Sequence, residues 1–327
     1  MTDVRSLILP KTYAMRPRIP TIPRRCLFST CLPKLSHENP LGLPRSGTPQ
    51  SKGLPRSGTP PTLPSRRSVP TPAPVPNVGK IILISSAKGG VGKSTVSVNL
   101  ALALSGRGNR TAILDSDIYG PSLPMLLDLE GYRAEVDEEE RLTPLTAYGL
   151  KAMSMGFLID KGTVAWRGLL IQRALRQLLF EVNWPKTDVL LVDTPPGTGD
   201  VLITLAQSVK LDGAVVVSTP QNLALRDAMR GLDFLRKTNI PVLGMVQNMA
   251  SFKCEGCGKV HDVFGLDGVR RKCEEEKVKI LGDIPLHSSI CASADSGKPT
   301  VVAEPSSPQA KAFEDIAADL AKQLNLT

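Results

Sequence analysis

Aromatic residues are scarce, at 4% of 327, and no apolar run approaches the roughly 20 residues a bilayer-spanning helix needs. The first shortage leaves a core to be built from Val, Ile and Leu, which suits buried parallel strands. The second gives no support to stable membrane insertion. Acidic residues are nearly missing from the start of the chain: residues 1–79 hold 12 Lys/Arg against Asp3 and Glu38, and the remainder holds 28 against 29. The net charge of +9 therefore belongs to a leading segment and does not argue for a nucleic-acid-binding domain. Six cysteines, at 26, 31, 254, 257, 273 and 291, lack the density of a secreted disulfide scaffold, so a reducing compartment suits them better. No Asn-Lys-x-Asp guanine signature occurs.

Residues 1–35 carry Arg5, Lys11, Arg16, Arg18, Arg24, Arg25 and Lys34 with Asp3 as the sole acid, and Ser and Thr are interspersed. This composition predicts a mitochondrial transit peptide, processed at Arg25-Cys26-Leu27-Phe28-Ser29 with cleavage near Leu27. Prolines 10, 17, 20 and 23 exceed what a presequence helix favours, and a basic tail without targeting is the other reading. Residues 36–77 form a Pro/Ser/Gly-rich linker in which the octapeptide 42–49 recurs unchanged as 53–60. It reads as a duplicated low-complexity tether.

From residue 78 onward strands and helices alternate. Apolar runs predict strands at 80–86, 110–115, 188–193, 212–218, 241–246 and 278–281. Helical spacing covers 96–104, 169–182, 223–238 and 308–324, and a shorter helix-like stretch covers 266–276. The expected fold is α/β: one doubly wound, mostly parallel sheet, with ligands at the carboxyl ends of its strands.

Between the first strand and the first helix stands Ala87-Lys88-Gly89-Gly90-Val91-Gly92-Lys93-Ser94-Thr95. Strand, Gly-rich turn, Lys-Ser and helix are the context of a phosphate-binding loop. Its glycines let backbone N–H groups point into one concavity, beside the positive end of a helix. Lys93 then reaches the β- and γ-phosphates of ATP, and the Ser94 hydroxyl sits on Mg²⁺. Ala87 replaces the usual first glycine, and Lys88 is an additional lysine inside the loop.

Asp193 closes an apolar strand and opens Asp193-Thr194-Pro195-Pro196-Gly197-Thr198-Gly199-Asp200. It is the expected Mg²⁺ acid, followed by a loop shaped to respond to the γ-phosphate. Alternatively the segment is a helix-start turn capped by Asp200. Asp115 and Asp117, at the end of the second strand, supply one carboxylate to orient the attacking water and one to support Mg²⁺, or else form a turn before Gly120-Pro121. Asn248 follows a strand, where an amide pairs with adenine or merely makes a turn. Cys254-Glu255-Gly256-Cys257 with Gly258 reads as a metal knuckle that offers two ligands of the four a site needs, or else as a metal-free thiol pair, for which no thioredoxin-like context is present. His261 and Cys273 would complete a zinc site within one chain. Otherwise two chains pool their pairs across a two-fold axis.

The loop KGGVGKST resembles the deviant Walker A loop of the MinD/Mrp-type ATPases. The sequences DTPPGTGD, Met153-Ser154-Met155-Gly156-Phe157, Trp166-Arg167-Gly168, the Cys-x-x-Cys and Gly282-Asp283-Ile284-Pro285-Leu286 extend the resemblance over residues 78–326, specifically to the Mrp/NUBPL branch. The resemblance implies a MinD/Mrp-like fold and a homodimer in which Lys88 reaches the partner's nucleotide. It implies Asp117 as general base with Asp115 its neighbour at the metal, and Asn248 with Pro285 at the adenine. It further implies a [4Fe–4S] cluster on Cys254 and Cys257 at the dimer interface, around residues 250–262. The chain is then expected to be a slow ATPase of the mitochondrial matrix that carries clusters to apoproteins such as respiratory complex I subunits. The alternative is a MinD-like positioning switch with a structural zinc knuckle. Membrane cycling lacks the basic amphipathic C-terminal helix it would use, because in residues 310–326 Lys311 and Lys322 are offset by Glu314, Asp315 and Asp319. A metabolic kinase lacks a visible acceptor site.

Overall fold

The computed structural model describes residues 72–158, 168–265 and 268–326. The transit-peptide and octapeptide-linker readings lie outside the described residues, as do Trp166, Arg167 and Leu266. In chain order the elements begin with β1 (Val78–Ser85), α1 (Lys93–Gly106), β2 (Thr111–Asp115) and α2 (Leu123–Leu126). A hairpin follows, β3 (Leu145–Ala147) and β4 (Leu150–Ser154), then α3 (Gly168–Phe180), β5 (Thr187–Asp193) and α4 (Asp200–Ser208). Next come β6 (Gly213–Ser218), α5 (Asn222–Lys237), β7 (Val242–Gln247) and the short pair β8 (Phe252–Lys253) and β9 (Val260–His261). The chain finishes with α6 (Gly268–Glu276), β10 (Ile280–Asp283), α7 (Ser288–Asp295), α8 (Thr300–Ala303) and α9 (Pro308–Gln323).

Eight strands form one sheet in the order β10-β7-β6-β1-β5-β2-β4-β3, all parallel except β3 at the edge. The centre is where the apolar runs are unbroken. Ile81 to Ile84 of β1 and Val189 to Val192 of β5 are wholly buried, because helices cover both faces of a parallel sheet. Helix α1 is apolar nearly all round, since it packs between the sheet and α9. The apolar face of α9, from Ala310 through Phe313 and Ile316 to Leu320, is buried in turn. Among the described residues no helix is long and apolar enough to cross a membrane.

Register places the polar residues. Ile84 lies opposite Asp193, Asp193 opposite Asp115, and Asp115 opposite Ser154. One row along the carboxyl edge therefore carries both carboxylates.

The expected strands and helices are present with ends shifted by a few residues, and the structure adds elements that the sequence reading did not name, among them α2, α7, α8 and the β8–β9 pair. The β3–β4 hairpin was not expected. The segment after Asp193 makes both a loop and the start of α4, whose N-cap is Gly199 rather than Asp200. Packed structure also begins before residue 78: Ala73 exchanges backbone hydrogen bonds with Ser208 and Lys210, and Val75 is 2% exposed in the core.

Candidate nucleotide site and cysteine knuckle

The phosphate loop joins the central strand to α1, so its backbone faces the carboxyl edge of the sheet. Gly90 and Gly92 hold φ of +79° and +78°. Gly92 is the N-cap of α1 and lends no side chain to the cap, so the first-turn N–H groups face a cavity of about 520 Å³. Lys88, Gly89, Gly90, Val91, Gly92, Lys93, Ser94, Thr95, Asp117, Ser122, Asn248 and Pro285 are all at its wall. An uncapped helix N-terminus with a lysine beside it fits an anion.

Asp193 sits at the back, 2% exposed. Its Oδ1 accepts from Lys93 Nζ and from Ser97 Oγ, both at 2.6 Å, and its Oδ2 accepts from Ser94 Oγ at 2.6 Å. Thus the lysine, the hydroxyl and the acid expected from sequence meet. Ser97 joins them as a contributor that sequence alone did not reveal. A hard oxygen pair, Ser94 and Asp193, is suited to Mg²⁺.

Asp115 takes a different part. Its oxygens accept the N–H groups of Asp117, Ser122 and Leu123 at 3.0, 3.0 and 3.2 Å and the Ser154 hydroxyl at 3.2 Å. Burial, and then the neighbouring Asp193, push its pKa upward. The carboxylate anchors the 115–123 loop and stands behind Asp193. Asp117, held on that loop, reaches the cavity wall, and its Oδ1 accepts the Gly120 N–H at 3.2 Å.

On the other side Asn248 Nδ2 donates to Val91 O at 2.8 Å. Besides lining the cavity beside Pro285, it braces the phosphate loop, a role that sequence did not disclose. From the 193–200 loop, Gly197 N–H donates to Ser86 O at 2.9 Å, which ties that loop to the phosphate loop. Lys88 is half-buried, and no ion pair to it occurs among the described residues.

The knuckle lies between β8 and β9. Gly258 N–H donates to Cys254 O at 2.8 Å and Cys254 N–H to Lys259 O at 2.9 Å, closing a tight turn. The Cys257 N–H, then the Gly256 N–H and the Cys257 thiol, hold the Cys254 thiol below its ordinary range. Two soft ligands, one predisposed to thiolate, fit a thiolate-bound metal centre. The ligands for completion within one chain are not brought together among the described residues. Cys273 is 2% exposed on the inner face of α6, and burial pushes its thiol up to about 11. Among the described residues no three His, Cys, Asp or Glu side chains gather to hold a metal. Exposed His261 stays on β9, opposite Phe252.

Phosphate loop, acid-ended neighbouring strand and parallel sheet define a P-loop NTPase. Residues 77–321 match the family model described as NUBPL iron-transfer P-loop NTPase, and the chain belongs to that family. It is 44% identical over 261 residues to the iron-sulfur cluster transfer protein NUBPL of Mus musculus, covering 79% of this chain and 82% of that protein. It is 43% identical over 249 residues to the mitochondrial iron-sulfur protein required for NADH dehydrogenase of Arabidopsis thaliana, covering 76% and 79%. Among solved structures, the ADP-bound nucleotide-binding protein of Archaeoglobus fulgidus superposes with TM-score 0.63 and 37% identity over 72% of this chain and 92% of that one. The cell-division ATPase MinD of Pyrococcus furiosus gives 0.58 and 25% over 75% and 99%.

Proposed function

We propose that the chain is an ATP-dependent iron–sulfur cluster carrier working as a homodimer in the mitochondrial matrix. It would deliver [4Fe–4S] clusters to apoproteins that include respiratory complex I subunits. The observation that carries this reading is the half-site: a Cys-x-x-Cys pair with no third ligand near it among the described residues. Two such pairs across a two-fold axis supply the four thiolates a [4Fe–4S] cargo takes. The names of the mouse and Arabidopsis relatives support the cargo and the destination.

In this reading the N–H groups of residues 89–94 and Lys93 hold the β- and γ-phosphates, and Ser94 and Asp193 hold Mg²⁺, which screens the phosphate charge. Asp117 orients the attacking water, Asp115 fixes the loop that carries Asp117, and Lys88 reaches the nucleotide of the second chain. Adenine lies against Asn248 and Pro285. Hydrolysis is slow, as befits a switch that governs the grip on cargo rather than metabolic turnover.

Anaerobic reconstitution of the full chain with iron and sulfide tests the proposal. About four irons per two chains are expected, lost in the Cys254→Ala and Cys257→Ala variants. One tightly held zinc per chain without iron uptake would contradict it.

A further inference from the structure

The nucleotide cavity and the knuckle hang on the same strip of backbone. Asp283 of β10 lies opposite Gln247 of β7, and the pairing continues past both strand ends. Ile284 N–H donates to Gln247 O at 2.8 Å, Ala250 N–H to Ile284 O at 2.9 Å and Leu286 N–H to Ser251 O at 2.8 Å. Phe252 then bridges Leu286, so residues 247–252 and 283–286 run side by side from the sheet to β8, directly before Cys254. Both strands of this strap also wall the cavity, through Asn248 and Met249 on one side and Pro285, Leu286 and His287 on the other. Met249 holds φ of +55°, a backbone state that persists in a methionine only where its surroundings enforce it.

At the far end the strap is clasped to the knuckle. Ser288 Oγ donates to Glu255 Oε1 at 3.2 Å, and His287 Nε2 lies 3.9 Å from the same oxygen. Glu255 stands between the two cysteines. His287 is itself fixed, because its Nδ1 accepts the Ser289 N–H at 3.2 Å as the N-cap of α7.

We propose that this strap, closed by the Ser288–Glu255 contact, couples the nucleotide cavity to the two thiols, with Ser288 and Glu255 as positioning residues. The inference rests on Cys254 and Cys257 being the cargo ligands, yet the coupling belongs to the protein alone and is measurable without metal. A nucleotide pressing on the 248–249 and 285–287 walls shifts this hydrogen-bonded ladder, and the shift arrives at Glu255 through Ser288. Coupling of this kind is reciprocal: whatever factor nucleotide applies to the thiols' hold on metal, metal applies to nucleotide affinity.

The test is the rate at which iodoacetamide alkylates Cys254 and Cys257 in the metal-free full chain, with and without Mg-ADP, read by peptide mass. ADP is expected to change that rate about fivefold, and Ser288→Ala and Glu255→Ala to bring the ratio below about twofold. The ADP affinity of both variants, measured alongside, is expected to match that of the unmodified chain. A rate in the unmodified chain indifferent to ADP, or an unchanged ratio in both variants, would overturn the coupling. A persisting ratio in a chain that takes up no iron would overturn the cargo reading and leave the coupling standing.

Discussion

Gly92 carries two constraints at once. Its φ of +78° is a left-handed state, and a Cβ placed there would stand 2.3 Å from Asn248 Nδ2, the atom that holds Val91 O. Gly92→Ala is therefore expected to cost about 1–2 kcal/mol from the backbone alone, plus the displaced brace. Urea unfolding checks the stability, and titration with ADP is expected to find binding weakened at least tenfold. Wild-type affinity in that variant would contradict the brace. At this scale Lys93, Ser94 and Asp193 were legible, because their spacing from strand ends and glycines dictates where they meet. Ser97 and Ser154 were not. A serine in an apolar helix or strand does not announce that it will meet a carboxylate 96 or 39 residues away. Cys273 was misleading for the converse reason: a metal-ligating residue type placed on the buried side of an amphipathic helix behaves as core.

Among the elements, the central strands could be read off because burial on both faces makes their apolar runs continuous. Edge structure is harder. The β3–β4 hairpin turns on Tyr148 and Gly149, both at positive φ, and the tyrosine hides a turn that Asn-Gly would have advertised. The beginning of the folded part was also set too late by composition, because Pro72 to Pro76 reads as linker although Ala73 and Val75 are tied in. A chain starting at residue 72 is expected to exceed one starting at 78 by about 2 kcal/mol in urea unfolding, the worth of burying Val75. Equal stabilities would show that the 72–77 segment is not part of the folded unit.

For the whole molecule, two features agree with the second copy proposed above. Among the described residues the Cys-x-x-Cys pair gathers no third metal ligand, and Lys88 makes no ion pair within its own chain. Family membership is consistent with iron–sulfur transfer, and the two-thiol knuckle is what leads us to propose a cargo shared between two chains. The most direct measurement is the intact mass of the anaerobically loaded full chain in native mass spectrometry. The account predicts twice the 35.1 kDa chain plus a single [4Fe–4S] cluster, with Cys257→Ala reverting to metal-free protein. A metal held on single chains, at one ion each, would contradict it.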